Sequence, residues 1–101
     1  MAGRKVVWTQ IAETELQEIL KFFLNRNRSN AYSLKLYHKF TAELKLVAKN
    51  PGIGIKTKLP SIRGLIIEDY IIFYEIHPDK IMVLQLWDCR QNPDKLTIRE
   101  L

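Results

Sequence analysis

Two arginines stand at the ends of the apolar final third of this 101-residue chain. Arg63 opens a run of strand-forming residues, and Arg90 follows the last of them. A guanidinium group can hold a phosphate or a carboxylate through paired hydrogen bonds. Lys56 and Lys58 lie in the loop just before Arg63. The two arginines indicate where chemistry takes place or a partner binds.

The other reactive side chains do not form a recognisable set. Cys89 has no histidine or asparagine beside it for thiol catalysis, and His38, His77 and Cys89 lack the spacing of metal ligands. We therefore expect no metal and no cofactor. A single cysteine excludes an internal disulfide and favours a reducing compartment, so we expect a cytoplasmic protein. No apolar run reaches the ~18–20 residues that cross a bilayer, and we expect no membrane partner.

The positive charge of the chain is concentrated in its middle. The net charge is +5, but the segment from Arg26 to Lys58 holds eight basic residues against Glu43 alone, which is a local charge of +7. A one-sided basic stretch suits nucleic acid or an acidic partner protein. A solvated helix face rich in lysine has the same composition, so both interpretations stay open.

Two amphipathic helices are predicted ahead of the sheet. Residues 5–8 form a short strand-prone run, after which Thr9 is placed to cap a helix. Ser29 or Asn30 is placed to cap a second helix, which ends at residues 50–52 because proline lacks an amide donor. Apolar residues at helical spacing predict buried stripes at Ala12, Leu16, Ile19, Leu20 and Phe23 in the first helix, and at Leu36, Phe40, Leu44 and Val47, supported by Leu34 and Tyr37, in the second.

Three strands are predicted near residues 62–68, 70–76 and 81–88, after a loop at 51–61 that contains glycine and proline. Their short connections favour an antiparallel meander, and we expect the first strand to join the sheet edge. The order β-α-α-β-β-β indicates an α+β fold, with a helical hairpin packed on a small antiparallel sheet. The length is that of one domain spanning residues 1–101.

Both faces of the last predicted strand are apolar. Strict alternation places Ile81, Val83 and Trp87 on one face and Met82, Leu84 and Leu86 on the other. Two helices cover one face of a sheet only. The second face therefore predicts a cover, which is the chain's own C-terminal tail, a second copy, or another protein.

The chain resembles the RelE/ParE superfamily of bacterial type II toxins over nearly its whole length. The resemblance is carried by residues 6–9 with Ala12, by the helix stop at 50–54, by 62–65 followed by the tyrosine-containing strand 70–76, and by 81–84 followed by 88–93. No single segment is diagnostic, but their order and spacing together are fairly specific. The resemblance implies a small toxin that is neutralised by an antitoxin encoded beside it.

Two branches of this superfamily differ in their targets. Members related to RelE cut mRNA in the ribosomal A site, whereas members related to ParE poison DNA gyrase. For a nuclease, the resemblance assigns catalysis to Lys56, Lys58, Arg63 and Arg90, with a tyrosine soon after the last arginine. That place is Leu96 here. Because the proton-transferring tyrosine is missing, we favour a ParE-like toxin that poisons gyrase, and mRNA cleavage at the ribosome is the alternative. Whether the chain is an enzyme stays open.

The resemblance also indicates where partners bind. We expect the antitoxin or the target to contact Arg63, Arg90, Tyr74 and Lys39. The C-terminal segment of the antitoxin would fold as a helix or strand on the second apolar face, with its acidic residues against the basic segment. A homodimer and a heterotetramer with the antitoxin are the assemblies we consider.

Overall fold

The computed structural model describes residues 3–27 and 30–90. Its elements are β1 (Lys5–Trp8), α1 (Gln10–Asn27), α2 (Ala31–Lys49), a short 3-10 helix (Pro51–Ile53), β2 (Ile55–Lys56), β3 (Ile62–Ile67), β4 (Tyr70–Ile76) and β5 (Lys80–Asp88). The predicted helical hairpin and antiparallel meander are confirmed. The predicted order lacked β2, which lies inside the segment expected to be a loop. A two-residue strand is too short to show the alternation by which strands are recognised.

The predicted cap of α1 is confirmed. The hydroxyl of Thr9 accepts a hydrogen bond from the backbone N–H of Ala12 at 3.1 Å, and its carbonyl accepts one from Glu13 at 2.9 Å. The helix begins directly after Thr9 because these bonds satisfy N–H groups that have no partner inside the first turn.

The start of α2 is only partly as predicted. Asn30 occupies the capping position, but its side chain makes no capping bond. Instead, the hydroxyl of Ser33 donates to the carbonyl of Asn30 at 3.1 Å. The alternative cap, Ser29, lies outside the described residues. The predicted stripe of α2 is buried, whereas Leu34 and Tyr37, expected to support it, are exposed because they lie off its face.

The five strands form one sheet in the order β1-β5-β4-β3-β2. β1 pairs in parallel with β5 at one edge, as expected for the first strand, and the other pairs are antiparallel. The helices cover one face, and the main core lies between them and the sheet. Its fully buried large side chains include Leu36, Phe40, Leu44, Ile72, Tyr74, Ile81 and Val83.

A bulge in β5 changes which side chains face the helices. Tyr74 pairs with Val83, but the preceding Phe73 pairs with Gln85, so that Leu84 has no partner in β4. An extra residue reverses the alternation of side chains beyond it.

The bulge corrects the predicted faces of the last strand. Leu86 joins Ile81 and Val83 in the core beneath the helices, and Trp87 packs with Phe73 on the second face. The prediction grouped Trp87 with Ile81 and Val83, which is wrong because it assumed unbroken alternation. The second face is apolar as expected, but Phe73 and Trp87 are already buried. The C-terminal tail, one of the predicted covers, lies outside the described residues.

Thr9, which caps α1, and Glu15 within α1 complete the outer edge of β5. β1 pairs with β5 only as far as Val83, which leaves the backbone after it without a strand partner. The hydroxyl of Thr9 donates to the carbonyl of Leu84 at 3.2 Å, and the carboxylate of Glu15 accepts from the N–H of Leu86 at 2.9 Å. Burial raises the pKa of Glu15 in spite of this hydrogen bond.

A buried tyrosine ties the loop after α2 to the sheet. The hydroxyl of Tyr74 donates to the carbonyl of Pro51 at 2.7 Å and accepts from the N–H of Gly54 at 2.9 Å. An added Cβ on Gly54 would lie 2.5 Å from the Tyr74 hydroxyl and 3.0 Å from the Cβ of Arg63. Only glycine allows this close approach of backbone to ring.

We predict that Gly54→Ala and Tyr74→Phe each destabilise the protein, by about 1–3 kcal/mol, the first through overpacking and the second by leaving buried polar groups unpaired. The double variant should lose less than the sum, because removing the hydroxyl relieves the closest contact of the new methyl group. Urea unfolding of the four proteins measures this coupling. Gly52→Ala is the matched control, since nothing lies within 4 Å of its added Cβ. Strict additivity would contradict the assigned contact.

The Glu15 carboxylate makes the folded protein less stable as pH rises. We predict that Glu15→Gln abolishes this part of the pH dependence of stability. Because the pKa of Glu15 is raised by burial, the folded protein binds this proton more tightly than the unfolded chain does. The resulting stability is full at low pH and is lost as pH rises through the raised pKa. Glutamine keeps an acceptor for the N–H of Leu86. The free energy of unfolding of the variant should therefore rise relative to that of the parent between pH 4 and pH 7. Glu13→Gln, on the exposed side of α1, is the control and should follow the parent. Equal pH profiles for all three would contradict the prediction.

Candidate functional site

Arg63 is tied to the loop that precedes its own strand. It lies half-buried on β3, opposite Tyr74 on β4 and Lys56 on β2. Its Nη1 donates to the carbonyl of Gly54 at 2.8 Å and to that of Gly52 at 3.3 Å. The guanidinium therefore holds the turn between α2 and β2 in place.

Arg90 is bound to a carboxylate of its own turn. Its Nε and Nη2 donate to the two oxygens of Asp88, both at 2.9 Å, in a bidentate pair. This pairing lowers the pKa of Asp88 and raises that of Arg90. Half of the Arg90 side chain stays exposed. A phosphate that bound here would have to compete with Asp88 for the same donors.

The fold does not bring the four predicted cations together. Arg63 is level with Tyr74, whereas Asp88, which holds Arg90, is level with Tyr70. Four residues of strand separate the two levels, which is about 13 Å. Lys56 lies beside Arg63, and Lys58 follows it in the exposed loop. Within residues 3–27 and 30–90, the structure thus places Lys56 beside Arg63 at one end of the sheet and Arg90 at the other.

The surroundings of Arg90 are acidic. A cavity of about 360 Å³ opens beside it between α1 and the end of β5. Three carboxylates and one guanidinium line this cavity, with apolar side chains between them: Glu15, Glu18, Asp88 and Arg90, with Ile19, Phe22, Tyr70, Leu86 and Trp87. An excess of negative charge repels a phosphate, so this cavity is poorly suited to hold RNA.

Two further residues predicted to contact a partner have structural partners. Tyr74 has no exposed surface, so it offers no atom to an antitoxin or target, and its bonds to the loop give it a structural role. Lys39 is exposed on α2, and its Nζ lies 2.7 Å from Oε1 of Glu68 in the β3–β4 turn. This ion pair raises the pKa of Lys39 and lowers that of Glu68, which has a positive φ of 53°.

An aromatic surface at the end of the helical hairpin was not predicted. We call it the hairpin-end surface, and it consists of Phe22, Arg26 and Tyr32. The guanidinium of Arg26 lies 6.0 Å from the centre of the Phe22 ring, and the ring of Phe23 contacts both Phe22 and Tyr32 edge-on. The sequence signal for this surface is the run of three consecutive apolar residues at 22–24, because one buried stripe of a helix does not need all three.

The described residues show little else that is suited to chemistry. Nε2 of His77 lies 2.8 Å from Oε1 of Glu75 in the same hairpin. Among residues 3–27 and 30–90, no three His, Cys, Asp or Glu side chains converge as metal ligands do. None of the helices in these two ranges is long and apolar enough to span a bilayer.

Comparison with known proteins supports the fold. The chain is similar to a protein of the chromosomal ParDE TA system from P. aeruginosa, with a TM-score of 0.72 and 18% identity over 87% of this chain and 98% of that one. It is also similar to TrmO from P. aeruginosa, with a TM-score of 0.50 and 20% identity over 85% of this chain but only 33% of that one. At such identities the likeness concerns the fold alone. No curated protein sequence matches the chain.

The family is shown by the sequence itself. The family described as the ParE toxin of the type II toxin-antitoxin system parDE matches residues 6–93. This range includes both helices and all five strands except Lys5, the first residue of β1. The predicted membership of the RelE/ParE superfamily is confirmed, and within it the match lies with the ParE branch that the sequence favoured. The chain belongs to the ParE toxin family.

Proposed function

We propose that this protein arrests growth by binding DNA gyrase and that a cognate antitoxin protein neutralises it. The observation that carries the proposal is the match to the ParE toxin family over residues 6–93. Gyrase is the target of the ParE branch in the resemblance described above. The proposed action is that of a protein-binding toxin.

The placement of the arginines supports a mode of action without RNA cleavage. Cleavage through the 2′-OH needs charge stabilisation at the phosphorane together with groups that transfer protons. Arg63 is bonded to loop carbonyls, and Arg90 is bonded to Asp88 at a distant level of the sheet. Leu96, which stands where the nuclease branch has tyrosine, lies outside the described residues.

The hairpin-end surface has the composition of a protein-binding site. Phe22 is 50% exposed, and Tyr32 is also exposed. Aromatic and arginine side chains supply most of the energy in protein interfaces because they bury a large area with little loss of conformational freedom. We assign gyrase binding to this surface.

A direct test measures both candidate activities with the purified protein. We expect it to inhibit supercoiling of relaxed plasmid by purified DNA gyrase and to trap cleaved linear plasmid that appears after protease treatment. In a reconstituted translation reaction, the mRNA should stay intact at an excess of the protein. New mRNA 5′ ends within A-site codons, lost in Arg90→Gln, would instead identify a ribosome-dependent nuclease and overturn the proposal.

Substitutions on the hairpin test the proposed gyrase surface. Phe22→Ser should weaken gyrase inhibition by about 10–30-fold, as expected for a central interface residue, and Arg26→Ala should weaken it less. Ile11→Ser is the matched control, because Ile11 is 66% exposed on the same helix but lies two turns of helix or more from Phe22. Thermal unfolding checks that all three variants are folded. Equal inhibition by Phe22→Ser and Ile11→Ser would place the gyrase contact elsewhere.

A further inference from the structure

The side of α2 that faces away from the sheet is strongly basic. Lys35, Lys39, Lys45 and Lys49 all lie on this helix and are exposed. At about 100° of rotation per residue, these lysines fall within about 120° of the helix circumference, opposite the buried stripe. We call this side the lysine face, and its two ends are separated by about 21 Å along the helix axis. Glu43, the acidic residue of α2, lies at its border near Lys39.

Two repulsive pairs are built into the lysine face. Lys35 and Lys39 are one helical turn apart, as are Lys45 and Lys49, and like charges at this spacing destabilise a helix. Glu68 of the β3–β4 turn relieves the first pair through its bond to Lys39. Among residues 3–27 and 30–90, no ion pair joins either lysine of the second pair to a carboxylate. Helix stability therefore does not explain this concentration of charge, which favours an anionic ligand.

The composition of the lysine face suits phosphates better than the surface of a protein. The other exposed residues on this side of α2 are His38, Ala42 and Leu46. Protein interfaces are enriched in large aromatic side chains and depleted of lysine, which is the reverse of this composition. Tyr37 is exposed but lies on the side toward α1, where it lines a cavity. Lysine binds phosphate as a compact, hydrated point charge and needs no shaped pocket.

The length of the lysine face fits a double helix. About 21 Å of duplex axis contains about six base pairs, with phosphates of both strands along that distance. A single strand would be bound through stacked aromatic rings, of which this face has one, the imidazole of His38. Residues 35–49 hold no Arg, Asn or Gln, the side chains that form bidentate contacts with base edges. The face is therefore suited to the backbone of a duplex of any sequence.

We propose that the lysine face binds the phosphate backbone of double-stranded DNA without sequence preference. Lys35, Lys45 and Lys49 contact phosphates, whereas Lys39 stays bonded to Glu68. So few contacts bind weakly by themselves, but they add to the affinity of a protein that is already held beside DNA.

The position of the lysine face next to the hairpin-end surface supports this arrangement. Tyr32 of that surface precedes Lys35 by one turn of α2 and lies within electrostatic reach of Lys39. A toxin that binds gyrase through the hairpin-end surface would thus bring its lysines close to the DNA that gyrase holds. The choice of DNA and not RNA rests on the proposed function, because DNA gyrase works on duplex DNA.

The salt dependence of DNA binding tests the lysine face without gyrase. The probe is a fluorescent duplex of about 20 base pairs, and binding is measured by anisotropy. With three phosphate contacts, the affinity should fall by about 40-fold between about 10 and 40 mM NaCl. The Lys45→Gln/Lys49→Gln variant, which keeps one contact, should lose only about 3–4-fold over this range. Lys21→Gln/Lys56→Gln is the matched control, because it removes the same net charge from exposed positions outside α2 and should follow the parent.

The outcomes of this experiment separate the proposal from the proposed function. Equal salt dependence in the two double variants, with both shown to be folded by thermal unfolding, would overturn binding by the lysine face. Tighter binding of duplex RNA of the same sequence would overturn the choice of DNA, and tighter binding of poly-glutamate would identify an acidic protein as the ligand. DNA binding by a parent protein that fails to inhibit supercoiling would contradict the proposed function alone. Inhibition of gyrase by a parent protein that binds no DNA would overturn the lysine face alone.

Discussion

The hydrogen bonds of the buried Tyr74 hydroxyl determine how the chain is arranged at the sheet edge formed by β2 and β3. Because it bonds both Pro51 and Gly54, the chain that leaves α2 must pass closely over β4 before it can turn. Arg63, which is paired with Tyr74 across the strands, also binds the carbonyl of Gly54 in the same turn. The turn is held so tightly that β2 begins only at Ile55 and covers two residues of β3. Ile62 is bonded instead to Leu59 and Thr57 of the loop, so that Ile66 is the outward position of β3 without a backbone partner among the described residues.

The bulge at Leu84 has a comparable effect at the other edge. It directs Leu86 into the core and Trp87 to the second face, so both sides of the sheet receive a large apolar side chain from the same short stretch. Glu15 accepts the N–H that β1 leaves unpaired, which requires a carboxylate to be partly buried. The same carboxylate lines the cavity beside Arg90 and makes its surroundings acidic. Completing the edge of β5 therefore removes the conditions for a phosphate site at Arg90.

The parts of the fold that were predictable are those that a repeating pattern encodes. Apolar spacing indicated the stripes of both helices, and turn residues separated the strands that follow. β2 and the bulge could not be predicted, because each involves one or two residues and depends on backbone bonds formed across the sheet. The site was predicted less well for a related reason. Sequence placed Arg63 and Arg90 correctly at strand ends, but the groups that bind them, the carbonyl of Gly54 and the carboxylate of Asp88, compete with any external anion.

The β3–β4 turn is where the sheet meets the second helix. Nζ of Lys39 on α2 lies 2.7 Å from Oε1 of Glu68, which has a positive φ of 53° in this turn. Phe40, the next residue of the helix, packs edge-on against Tyr70, which follows the turn. Because both charges of the ion pair are exposed, the pair adds little to stability by itself. The buried contact between the two rings therefore does more to hold α2 on the sheet, and the ion pair mainly orients the turn.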